Sequence, residues 1–288
     1  MSFLSVQDLT LRLKNGPPLL RRVSLEVAAG EVRGLVGESG AGKSMIGKAI
    51  LGILPPAIEV ASGRILLDGV DLLALPLGER RKKIGATAAL IPQDPLTALN
   101  PSHRIGPQIT DRLVDILRWP RAKAQERALA LLAEVQIPEP ERVMRAYPHE
   151  LSGGMRQRVL IASAFAAEPK LIVADEPTTA LDVTVQKQIL KLIGGMQKQH
   201  GTALLFVTHD LGVVSKVCQR LTVLFEGMVV EDTSVRDFFA APRHPYSAAL
   251  LAATPKYTDP LAGLNPVPEA VLAATRAEVA AMDREMAQ

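Results

Sequence analysis

The period of the apolar residues changes several times along the chain, and each change predicts an element. Val6 to Leu13 and Val23 to Val27 alternate apolar and polar positions, the pattern of half-buried strands, with Gly16-Pro17-Pro18 between them. This predicts an antiparallel lead-in over residues 1–30. Val32 to Val36, Ala86 to Ile91, Leu171 to Ala174 and Ala203 to Val207 are short, mainly apolar runs, interrupted only by Arg33 and Thr87. Such runs suit strands of a parallel sheet buried on both faces. A helix is expected over Lys43–Leu54, stopped by Pro55 and Pro56. From about Asp94 to Ala167 the strand signal vanishes, and Ile109–Leu117 and Ala122–Val135 read as amphipathic helices. Val185, Ile189, Leu192 and Met196 recur at helical spacing and read as ordinary core packing. Strands alternating with helices on both sides of a helical insert indicate an α/β fold with a parallel sheet. Glu269 to Met286, Ala-rich with mixed charge, predicts a helix that packs on its own domain or on a partner.

Chemistry gathers at the ends of the apolar runs. After Val36 comes Gly37-Glu38-Ser39-Gly40-Ala41-Gly42-Lys43-Ser44, with Met45 next. This fits G-x-x-x-x-G-K-[ST], the loop whose backbone amides cradle nucleotide phosphates, whose Lys reaches the β/γ-phosphates and whose Ser hydroxyl meets Mg²⁺. Strand, glycine loop and helix are the context that motif needs. The run Leu171-Ile-Val-Ala ends in Asp175-Glu176, an acid pair suited to holding Mg²⁺ and polarising an attacking water. Ala203–Val207 leads into Thr208-His209-Asp210, and a His at such a strand end can reach a γ-phosphate. Gln93, in Ile-Pro-Gln-Asp-Pro after the run ending at Ile91, offers an amide oxygen as a further Mg²⁺ ligand.

Leu151 to Gln157 reads LSGGMRQ. With GESGAGKS, Gln93, LIVADEP, Ala180-Leu181-Asp182 and THD in this order, the chain resembles ATP-binding-cassette (ABC) transporter ATPases to about residue 255. QDPLTALNP, YPHELSGG, DEPTTALDVTVQ and RHPYSAALL narrow the resemblance to the oligopeptide/dipeptide/nickel importer subfamily. The resemblance implies a P-loop fold: a RecA-like core with the antiparallel lead-in (1–93 and 168–240), a helical subdomain carrying LSGG (94–167) and a C-terminal extension (241–288). It implies ATP and Mg²⁺ as cofactors. Gly37–Met45 would hold the triphosphate; Ser44, Gln93 and Asp175 would serve the metal. Glu176, His209 and Lys43 would be catalytic. Ser152, Gly153 and Gly154 would bind the γ-phosphate held by a second ATPase subunit, and Asp182 would contact the partner loop. The expected partners are two membrane-embedded permeases, a second ABC ATPase in a hetero- or homodimer with the heterodimer favoured, and indirectly a solute-binding protein. The expected place is the cytoplasmic face of the cell membrane. The rival readings are a soluble ABC ATPase acting on DNA or ribosomes and a nucleotide-gated regulatory subunit. The first usually carries a long coiled coil, zinc-spaced cysteines or two cassettes; the second would show a damaged acid pair or His.

The sequence departs from the family twice. The aromatic that stacks on adenine near the end of the first strand is replaced by Leu13, and no Phe, Tyr or Trp lies between Phe3 and Trp119. Packing on Leu13 or Phe3 would replace it. The C-terminal cysteine cluster of many peptide-importer subunits is absent, because Cys218 is the single cysteine.

Composition sharpens this picture only a little. In 288 residues, an apolar content of 48% supplies a sizeable core, while a net charge of +3 and 3% aromatics argue against nucleic acid as a partner. One cysteine suits a reducing compartment, and Cys218 reads as a small buried residue. The N-terminus lacks the pattern of a signal peptide, and no run reaches the ~18 apolar residues of a membrane span. Arg80-Arg81-Lys82-Lys83 reads as a solvated helix face and Trp119 as a packing anchor.

Overall fold

The computed structural model describes residues 2–179, 182–254 and 266–286. In chain order the elements are β1 (Ser2–Leu13), β2 (Pro18–Ala28), β3 (Val32–Val36), α1 (Lys43–Ile50), β4 (Ile58–Leu67) and β5 (Val70–Asp71). There follow α2 (Leu77–Thr87), β6 (Ala88–Ile91), α3 (Pro95–Ala98), α4 (Ile105–Asp111), α5 (Arg121–Glu134), α6 (Pro140–Arg145), α7 (Gly153–Ala166), β7 (Leu171–Asp175), α8 (Val183–His200) and β8 (Ala203–Val207). The chain ends with α9 (Leu211–Val217), β9 (Arg220–Phe225), β10 (Met228–Ser234), α10 (Val235–Ala240), α11 (Pro245–Ala252) and α12 (Glu269–Met286). It divides into two compact units, Met1–Leu75 with Leu205–Gln288, and Pro76–Leu204.

The first unit holds the expected antiparallel lead-in as a sheet of order β2-β1-β4-β5. Its alternation buries Leu9, Leu11, Leu20, Val23, Leu25 and Val27. A second sheet places β10-β9-β3 in order, with β9 parallel to β3 and antiparallel to β10. The end of β8 lies along β3, where Thr208 N donates to Leu35 O at 3.1 Å. β3 is buried at every position, which its Arg33 tolerates because Asp232, Thr222 and Glu31 accept from the guanidinium. Helix α9 packs on β3 so closely that a Cβ at Gly34 would meet Cys218 Sγ at 3.2 Å. Cys218 is buried as expected, and burial pushes its thiol up to about 12.

Helix α1 stops before the prolines that were expected to end it. Ile53 N donates to Lys48 O and Gly52 N to Ala49 O, with Gly52 at φ 66°. This is a Schellman motif, which closes the helix on a left-handed glycine. Helix α12 spans the predicted residues and settles on its own unit. Arg21 makes a two-pronged bond with Asp283 at 2.6 and 2.9 Å, and Arg276 binds Glu226 and Glu269.

The second unit pairs β6 with β7 in parallel and carries the helical insert. The expected helix over Ile109–Leu117 is α4 passing into a single π-turn at Arg112–Ile116. Arg112 donates from there to Gly85 O and Ala88 O, a long-range bond that spacing could not announce. Ile189, Leu190, Ile193 and Met196 form the buried face of α8; Val185 and Leu192, expected in that stripe, are only half-buried. Arg81 and Lys82 on α2 are exposed, as read from the sequence, whereas Arg80 and Lys83 of the same run are half-buried. Trp119 is half-buried rather than an anchor, and Lys123 Nζ stands 4.4 Å from its ring centre. Among the described residues no helix is long and apolar enough to cross a membrane.

Candidate functional site

The glycine loop Gly37–Ser44 joins β3 to α1, and its glycines answer to contact rather than to flexibility alone. A Cβ at Gly37 would lie 2.3 Å from Leu224 O, and one at Gly42 would lie 2.6 Å from Leu20 Cδ2. Gly42, at φ 97°, also serves as the N-cap of α1 and contributes no side-chain cap. The helix therefore presents backbone donors and the positive end of its dipole, which suits an anion. Lys43 is buried, and its Nζ donates to Gly37 O and Glu38 O, both at 2.8 Å. The ammonium is thus held over the loop that would receive phosphates. Glu38, Ser39 and Gly40 are exposed at the loop's crest, Ser44 and Met45 half-buried behind it. His209, also in this unit, is exposed just beyond β8. Asp210 fixes that turn by capping α9, accepting from Gly212 N and Val213 N.

The second unit gathers the acids. Asp175 ends β7, and Glu176 follows at φ 45°, a conformation that costs a non-glycine residue about 1–3 kcal/mol. Its carboxylate accepts from Gln93 Nε2 at 3.2 Å and from Thr179 Oγ1 at 2.8 Å. The two sequence-predicted residues Gln93 and Glu176 are therefore in contact. The amide's donor end is engaged there, so its oxygen is the atom that would serve a metal. Thr179 was not singled out from the sequence; its signal was the Thr-Thr that follows Asp-Glu-Pro. Gln157 was missed too. It is buried in α7, and its Nε2 donates to Pro177 O at 2.9 Å, tying the LSGG helix to the loop after Glu176.

Ser152 caps α7 by accepting from Met155 N at 3.3 Å. Behind it, among the described residues, a Cβ at Gly153 would meet nothing within 4 Å, and one at Gly154 only Val185 Cγ1 at 4.0 Å. Among the described residues the fold leaves room beside these glycines, at the start of a 14-residue helix. Asp182 caps α8 through Thr184 N and Val185 N, both at 3.0 Å; Ala180 and Leu181 lie outside the described residues. The phosphate loop and His209 belong to one unit; Gln93, Asp175, Glu176, Ser152–Gly154 and Asp182 belong to the other.

The residues fit the cofactors. Backbone donors plus one buried ammonium suit a polyphosphate. The hydroxyl of Ser44, the amide oxygen of Gln93 and the carboxylate of Asp175 are hard oxygen donors of the kind Mg²⁺ accepts beside phosphates and water.

Comparison with known proteins shows the family. Residues 20–179 match the ABC transporter family. A peptidoglycan transport ATP-binding protein of Agrobacterium fabrum is 49% identical over 89% of this chain, which spans only 48% of that relative's length. A probable peptide ABC transporter ATP-binding protein of Sinorhizobium fredii is 48% identical over 81% of this chain and 70% of its own. Among solved structures, a dimeric ATP-binding cassette in a post-hydrolysis state, bound to ADP and Pi, superimposes with a TM-score of 0.71 at 26% identity, covering 81% of this chain and 99% of that one. The chain belongs to the ABC transporter family, as an ATP-binding subunit whose ATPase, with ATP and Mg²⁺, is coupled to transport.

Proposed function

We propose that this chain is the ATP-hydrolysing subunit of an importer for peptides or a related small solute, working in a pair. The observation that carries the pairing is the empty space at Gly153 and Gly154 on a capped helix start. A helix N-terminus stripped of side chains is suited to the γ-phosphate of a nucleotide held by another subunit's phosphate loop. Gly37–Ser44 with Lys43 would hold each ATP, and Ser44, Gln93 and Asp175 would hold its Mg²⁺. A γ-phosphate that bridges two subunits favours only the closed state, which is the differential affinity a ligand needs to drive a switch. Glu176, fixed by Gln93 and Thr179, would orient and polarise the attacking water, and His209 would contact the γ-phosphate. Asp182 would meet the partner loop with whatever acceptor capacity its cap leaves. Breaking the β–γ bond then removes the bridge and reopens the pair.

The names of the similar transport proteins support a peptide-type solute; dipeptide, oligopeptide and nickel chelate are all compatible with this subunit, because the transported molecule is bound by other chains. Two membrane permeases, a second ATPase of a different sequence and an indirect solute-binding protein complete the assembly, with this subunit peripheral on the cytoplasmic face. The soluble alternative, acting on DNA or ribosomes, is not favoured, since the similar chains are transport proteins. The test is purification of the tagged chain from gently solubilised membranes of its host. Two polytopic permeases and a second ABC ATPase should co-purify. Recovery from the soluble fraction with ribosomes, DNA or no membrane chain would overturn the proposal.

A further inference from the structure

The RHPYSAALL segment that narrowed the family resemblance has no role in the chemistry above. Its Tyr246, on α11, is the largest fully buried side chain of the described residues. Its position is heavily determined. The Glu231 carboxylate, itself buried, accepts from Arg243 N and His244 N, and Tyr246 N donates to His244 Nδ1 at 3.1 Å. The ring meets Phe225 edge-on with centres 4.7 Å apart. Phe225 belongs to the stretch on which the phosphate loop rests: Leu224 O crowds Gly37, and Gly227 N donates to Ala41 O at 3.0 Å.

The hydroxyl at the far end of that ring is the anomaly. It is buried and has no hydrogen-bond partner of good geometry among the described residues. Beside it lies the backbone amide of Glu38, in the loop itself. Burial, with the carboxylates of Glu38 and Glu226, pushes the phenol above its ordinary range, so the hydroxyl keeps its proton. A buried hydroxyl whose one neighbouring donor is poorly aligned is a net cost, and phenylalanine would fill the same space without it. A better-aligned bond in a different state of the loop would offset that cost. We propose that Tyr246 is a positioning residue for nucleotide binding, its hydroxyl accepting a hydrogen bond from the Glu38 backbone amide when ATP occupies the phosphate loop. Through it the C-terminal segment would be coupled to the occupancy of the loop.

This rests on the reading that Gly37–Ser44 holds ATP, and the experiment separates the two. Tyr246→Phe and, as a control, Phe238→Leu would be compared with the unaltered full chain. Phe238 is fully buried in the neighbouring α10. The readouts are the thermal midpoint without nucleotide and the Kd for a fluorescent ATP analogue with Mg²⁺. Tyr246→Phe should keep or raise the midpoint while weakening binding about 3–10-fold, the value of one ordinary hydrogen bond. Phe238→Leu should lower the midpoint and leave Kd unchanged. An unchanged Kd in Tyr246→Phe would overturn the proposal. So would a lowered midpoint, which means the hydroxyl is already bonded in the free protein, or equal weakening by Phe238→Leu, which means general loosening. Failure of the unaltered chain to bind would instead overturn the phosphate-loop reading itself.

Discussion

Glu176 has a backbone angle that its side chain makes unfavourable and a carboxylate gripped by Gln93 and Thr179. Strain of this kind persists only where the surroundings over-determine it, and here they aim an acid. Leu13 is the opposite case, a residue whose environment is incomplete. It ends β1 at 37% exposure, whereas Phe3, the other candidate to meet adenine, is 9% exposed in the core. An exposed aliphatic edge gives adenine a contact but no stacking face. Base–aromatic stacking contributes about 1–3 kcal/mol, so Leu13→Tyr should lower the ATP Kd by roughly 5-fold or more, measured by titration of a fluorescent nucleotide. An unchanged Kd would mean that adenine does not lie against Leu13.

The elements show what was legible beforehand and what was not. β3 and β8 coincide with predicted apolar runs, β3 despite its Arg33, and α12 with the predicted helix, because burial and periodicity are local properties of sequence. The phosphate loop, Gln93 and the acid pair were readable because each sits at the end of such a run. The Schellman stop at Gly52, the π-turn at Arg112 and the grip of Thr179 on Glu176 were not, since each depends on a hydrogen bond that only the folded backbone defines. The start of α7 separates fold from function most sharply. Among the described residues nothing lies within 4 Å of a Cβ placed on Gly153, and alanine in a helix is favoured over glycine by up to ~1 kcal/mol. Gly153→Ala should therefore leave the thermal midpoint unchanged or slightly raised. It should still lower ATPase turnover on the order of 100-fold, because a methyl group would hold back the phosphate that approaches there. Normal turnover would show that no ligand comes close to this glycine.

At the scale of the whole molecule, the residues proposed for one chemistry are divided between two units. The first offers a phosphate cradle with its lysine, backed by a C-terminal helix that Arg21 and Arg276 clamp to the same unit. The second offers the acid, the amide and a bare helix start. In the proposed importer other chains would bind the solute, which makes the cargo a property of the assembly rather than of this chain. The most direct test of the account is uptake by the co-purified complex in proteoliposomes, comparing the unaltered chain with Glu176→Gln under ATP and Mg²⁺. The account predicts ATP-dependent peptide uptake with the unaltered subunit. With Glu176→Gln it predicts retained ATP binding and the loss of at least ~100-fold in turnover and uptake together, the scale of a lost general base. Equal uptake by the two, or hydrolysis undiminished in the variant, would contradict it.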